Sequence, residues 1–85
     1  LLAREAGVAV RAELATLLAD GSIVEVDLAE IEDITPSVAD ECFGKLAARL
    51  GDTSYHKRIV FVGGTSLLTR LIDFVVANRL KGHGA

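Results

Sequence analysis

Asp27-Leu28-Ala29-Glu30-Ile31-Glu32-Asp33-Ile34-Thr35-Pro36-Ser37-Val38-Ala39-Asp40-Glu41-Cys42-Phe43-Gly44-Lys45-Leu46-Ala47-Ala48-Arg49-Leu50 is the stretch whose reading decides the fold. It reads as the end of a strand, a connection from Ala29 to Ile34 with Ile31 and Ile34 turned inward, and a helix opening at Thr35-Pro36-Ser37. Proline at the first helical position costs no hydrogen bond, and it holds the preceding residue in the extended geometry of a cap. Thr35 is therefore the expected N-cap, with Ser37 and Asp40 as a competing capping-box pair. Beyond the opening, Ala39, Cys42, Phe43, Leu46, Ala47 and Leu50 predict one continuous apolar stripe. Gly51-Asp52 ends this helix, and the polar run Thr53 to Lys57 reads as a loop.

Upstream, Leu1 to Asp20 reads as a helix in which Leu14, Leu17 and Leu18 face inward and Arg11 and Glu13 outward. Gly7, Val8 and Val10 are poor helix formers and predict a loose or bent start, while Gly21 supplies the stop. Ser22 to Leu28 is the first strand, with Glu25 on one face predicting thin cover there. Downstream, Arg58 to Val62 is a short apolar strand, and Gly63-Gly64-Thr65-Ser66 turns into a helix from Leu67 to Leu80. Its inward residues are Leu68, Leu71, Ile72, Val75 and Val76, and Lys81 to Ala85 reads as a frayed tail.

The order α-β-α-β-α predicts a small single α/β domain, with a right-handed parallel or mixed sheet carrying amphipathic helices. Two strands are few for three such helices, so a further strand is expected upstream of Leu1 or from a partner subunit. The opening Leu1-Leu2, with no methionine, also predicts residues upstream.

At 85 residues with net charge −3 the chain is one domain without the basic stripe of a nucleic-acid binder. Hydrophobic residues make up 51% and mean hydropathy is +0.41, yet Arg70, Asp73 and Arg79 interrupt the most apolar segment, so no membrane span is expected. The apolar excess points instead to a subunit or partner interface. A lone Cys42, no zinc-ligand spacing and no signal peptide predict a cytoplasmic, cofactor-free protein.

The order of strand, Asp27, isoleucine-rich loop, Ser37 at a helix start and apolar helix resembles the STAS domains (sulfate transporter and anti-sigma-factor antagonist). More closely, the chain resembles the STAS-like domain-of-unknown-function family of bacteria and archaea. The residues that carry this are Arg4-Glu5, Gly7 and Arg11, then Val24-Glu25-Val26-Asp27-Leu28, then the run from Ile34 to Leu46 with Pro36-Ser37-Val38-Ala39-Asp40-Glu41-Cys42-Phe43-Gly44 as its specific part. In the antagonists a serine at this helix start is phosphorylated by a histidine-kinase-like ATPase, and only the unphosphorylated form binds that partner. The resemblance places Ser37 there, although Thr35-Pro36-Ser37-Val38 stands where the antagonists have Asp-Ser-Ser-Gly.

The resemblance therefore implies a non-enzymatic, protein-binding regulatory module whose partner is a histidine-kinase-like ATPase or another signalling protein. Its surface would be Ser37 with Glu32, Asp33, Thr35, Asp40 and Glu41. A phosphate on Ser37 would add up to two negative charges beside these acids and repel an acidic partner surface or break an apolar contact. The plainer reading is that Thr35 and Ser37 only cap the helix.

The acidic set with Glu30 reads as a solvated patch rather than a cation cage. Gly63, Gly64, Thr65 and Ser66 are a weak candidate for cradling an anion, lacking a P-loop ending, and read better as a capped connection. A ligand-binding or catalytic crevice between Thr35–Ser37 and Gly63–Ser66 is the rival expectation, and self-association a third. His56 and His83 read as surface histidines, and Cys42 as an inert core thiol.

Overall fold

The computed structural model describes residues 3–82. Helix α1, Arg4–Leu18, buries Gly7, Leu14 and Leu18. Two expectations for it are corrected: Leu17 is 49% exposed, and Arg11 turns inward to reach Glu41. The chain leaves α1 through Gly21, whose φ of 86° is open to glycine at no steric cost. Arg58, at the far end of the chain's middle section, donates from its guanidinium to the carbonyls of Leu18 and Ser22, satisfying acceptors at this helix end.

Strand β1, Val24–Asp27, pairs in parallel with β2, Ile59–Val62, Val24 lying opposite Ile59 and Asp27 opposite Val62. Opposite residues share a face of the sheet. Val26 and Phe61 therefore look toward the helices, while Glu25 and Val60 look out, and both are exposed as the charge on Glu25 predicts. Among the described residues the sheet has these two strands, and the further strand expected upstream of Leu1 or from a partner subunit would lie outside them.

Between the strands, α2 (Pro36–Ala39), a π turn (Asp40–Gly44) and α3 (Lys45–Leu50) run as one helix, with right-handed helical dihedrals through both joints. This helix, rather than the sheet, is the centre of the core. Val38, Ala39, Cys42, Phe43, Leu46 and Ala47 are each at most 1% exposed, and Phe43 meets Phe61 of β2 edge-on at 5.1 Å. Full burial of a side chain of the Leu or Phe class contributes about 1.5–3 kcal/mol, so these residues dominate the fold's cohesion.

The polar loop expected at Thr53 to Lys57 is instead helix α4, Asp52–Arg58. Asp52 stands at its positive end and His56, Lys57 and Arg58 at its negative end, so dipole complementarity supports a helix that periodicity does not reveal. Tyr55 is its one buried residue. Helix α5, Ser66–Gly82, continues through Lys81 and Gly82, which read as tail in the sequence; the rest of that tail, with Leu1 and Leu2, lies outside the described residues.

Candidate functional site

Thr35 caps α2 as its sequence predicts: its backbone is extended and its hydroxyl accepts a 3.3 Å hydrogen bond from the Val38 amide. Pro36 is the first helical residue, and Ser37 follows it, exposed to solvent. Glu30, Glu32 and Asp33 of the preceding loop are also exposed, and Thr35 is half-buried.

Asp40 and Glu41 correct the predicted partner surface. Glu41 is only 4% exposed and is held by three cations, with contacts of 3.1 Å to Arg4, 2.9 Å to Arg11 and 2.9 Å to Lys45. Hydrogen bonds from Lys45 first and Arg11 next hold its carboxyl at a pKa of about 2, against the opposing effect of burial. Arg11 also donates to the Glu41 backbone carbonyl at 2.5 Å, the kind of inserted donor that widens an α-helical ladder.

Helix α1 comes close enough for this because residue 7 is glycine: a Cβ there would lie 3.1 Å from the Val38 carbonyl oxygen. Asp40 turns the other way and makes a two-pronged ion pair with Arg79 of α5. Its carboxylate fills the space beside Gly44, where a Cβ would lie 2.3 Å from Oδ1. The Asp-Glu-x-Phe-Gly run is thus a clamp that ties one helix to α1, α5 and β2.

Gly63 and Gly64 have φ of 70° and 78°, and their Cβ positions are taken by β1's exit: 3.1 Å from Ala29 and 2.8 Å from Leu28. The Gly-Gly pair permits a close crossing, and Thr65 then caps α5 by accepting from the Leu68 amide at 3.1 Å.

Beside this crossing lies a groove of 270 Å³, with Glu32, Asp33 and Ile34 on one wall and Leu67, Leu68 and Leu71 on the other. Leu67 is 78% exposed and Phe74, two turns along the same helix, 63%. Sequence reasoning assigned neither a role. The signal was there: two large apolar residues at i, i+7 off the inward stripe.

A larger hollow of 680 Å³ lies between α4 and α5, edged by Asp52, His56, Asp73 and Lys81. His56 Nδ1 sits 2.8 Å from Asp52 Oδ1, and both side chains are well exposed. Asp40 is thus given to Arg79 and His56 to Asp52.

Cys42 is fully buried, and burial pushes its thiol up to about 12, as an inert core thiol requires. No group of three or more His, Cys, Asp or Glu among the described residues is arranged to hold a metal ion. Among those residues no helix is long and apolar enough to cross a membrane.

No curated protein and no solved structure matches the chain. The family model for the STAS-like domain of unknown function matches residues 6–67, from the first turns of α1 to the first residues of α5. That span takes in both strands and Asp40 and Glu41 with Arg11 and Lys45, but not Arg4 or Arg79, and the chain belongs to the family of STAS-like domains of unknown function.

Proposed function

We propose that this domain works by binding a signalling protein, a histidine-kinase-like ATPase being the expected type, and that Ser37 is the residue whose modification controls the contact. The observation that carries this reading is the groove beside Leu67, where a large apolar side chain is 78% exposed next to a hollow lined by Leu68 and Leu71 and rimmed by Glu32 and Asp33. An apolar anchor within a polar, charged rim has the make-up of a protein interface core and its edge. The acidic rim suits a partner surface that carries lysine or arginine around an apolar patch. Ser37, exposed at the start of the helix that follows this rim, is open to a kinase.

The test is retention of partner proteins from the source cell by the wild-type chain, Leu67→Glu and Ser37→Asp, each checked for an unchanged melting temperature. The reading expects a histidine-kinase-like or other signalling protein on the wild type and its loss from both variants. Equal retention of every protein by all three forms refutes it.

A further inference from the structure

The three cations on Glu41 exceed what one carboxylate neutralises, and they do so in a chain whose net charge is −3. Arg4 is the outermost, its side chain 70% exposed, while Arg11 and Lys45 are 28% and 40% exposed. Glu41 keeps two close partners if Arg4 leaves.

The direction of α1 places Arg4 with respect to Ser37. Gly7 packs against Val38 and Glu41, its Cβ position 3.1 Å from the Val38 carbonyl oxygen and 3.4 Å from the Glu41 Cβ, and Arg11, one helical turn later, reaches the Glu41 carbonyl, which places the later turn of α1 toward the C-terminal side of that contact. Arg4, one turn before Gly7 and bound to the same Glu41 carboxylate, would then fall toward the Ser37 end of that contact. Ser37 and Glu41 are i and i+4, neighbours on the helix surface at about 5–6 Å between Cβ atoms. A helical side chain leans toward the N-terminus and covers the preceding turn, which carries the Glu41 carboxylate, and the Arg4 guanidinium on it, toward Ser37.

We infer that a phosphoryl group on Ser37 is captured by Arg4, which exchanges the Glu41 carboxylate for it. This rests on the reading of Ser37 as the modified residue. The group comes from ATP on the partner: the Ser37 Oγ–P bond forms as the bond to ADP breaks, and the hydroxyl proton passes to solvent. A dianionic phosphate outcompetes a shared monoanion for an exposed guanidinium, which it can meet with two parallel hydrogen bonds. The exchange draws the first turn of α1 over the helix start and changes both the charge and the shape presented there. The charged groups gathered on the Glu41 side of this helix are Arg4 and Arg11 from α1 and Lys45 and Glu41 from the helix itself, while Asp40 turns away to Arg79.

The full chain, made by joining synthetic halves at Cys42, carries phosphoserine at position 37, and the phosphate is titrated by ³¹P NMR. Its second ionisation is expected below the value near 6 of an unpaired phosphoserine, and Arg4→Gln is expected to raise it by a few tenths of a pH unit. The Arg4 ¹⁵Nε resonance of the unsubstituted chain is expected to move on phosphorylation. An unchanged midpoint in Arg4→Gln, or an unmoved Nε resonance, overturns the inference. Failure of the switch itself looks different: the phosphorylated chain then binds its partner as well as the unmodified one, whatever Arg4 does.

Discussion

Replacing Gly44 by alanine tests the clamp most sharply, because its sign should depend on a second residue. Gly44 has ordinary helical dihedrals, φ −62° and ψ −49°, so alanine there is favoured by about 1 kcal/mol on helix propensity alone. The new Cβ would stand 2.3 Å from Asp40 Oδ1 and 3.2 Å from its Cγ. The carboxylate must swing away, and Arg79 then loses its two-pronged partner. With the pair's side chains 30% and 34% exposed, that contact is worth about 1 kcal/mol after solvent screening, and displacing the group adds about 1 kcal/mol of strain.

Gly44→Ala should therefore cost about 1 kcal/mol in the wild-type chain. In an Asp40→Ala background the obstacle is gone, and the same substitution should stabilise by about 1 kcal/mol. Urea unfolding of the four proteins in this cycle gives the coupling, and thermal midpoints should differ by roughly 4–8 °C per kcal/mol. If Gly44→Ala has the same sign and size in both backgrounds, the account of Gly44 as room for Asp40 is wrong.

Glu41→Gln should flatten the acid limb of the stability curve. The folded-state pKa of about 2 lies below the ordinary 4.5, so the contribution of Glu41 is fully present above about pH 4.5 and lost as pH falls toward 2. Urea midpoints between those values should fall less steeply in the variant, and parallel curves would contradict this. Tyr55→Phe should be neutral or stabilising by up to about 1 kcal/mol, since the buried hydroxyl has no hydrogen-bond partner among the described residues; a clear loss of stability would mean that the hydroxyl is paired after all. Cys42 should react with a thiol reagent only as fast as the chain unfolds, and rapid labelling of the native protein would show that the thiol is not sealed.

Both strands, the Thr35 cap and the apolar stripe from Ala39 to Leu50 were legible because each rests on local periodicity or on a backbone rule. Helix α4 was not. Its seven residues bury only Tyr55, and its support comes from end charges and an i, i+4 Asp52–His56 contact that composition makes look like loop. The site was half legible. Ser37, Glu32 and Asp33 stand exposed as predicted, but an acidic residue on a helix reads as solvent-facing unless its partners are known, and two of the three partners of Glu41 lie 30 and 37 residues away in α1, only Lys45 being near in sequence. The spacing of Arg4, Gly7 and Arg11 along one face was the available hint. It becomes informative only once Gly7 is read as a contact rather than as a weak point in the helix.

That clamp bears on the proposed docking surface as well. Asp40 and Glu41 are adjacent, yet one holds α5 and the other α1, so the single helix between them fixes the two flanking helices against each other. The groove takes one wall from α5, and Ser37 opens the helix that the ion pairs tie to α1 and α5, so their separation is set by those ion pairs and the buried core. A partner meeting Leu67 and Ser37 together meets a surface already in its bound spacing, which lowers the ordering cost of association. A modification at Ser37 that recruits Arg4 acts at a corner of the same clamp, where the change in charge is coupled to the position of α1 rather than dissipated in a loose loop.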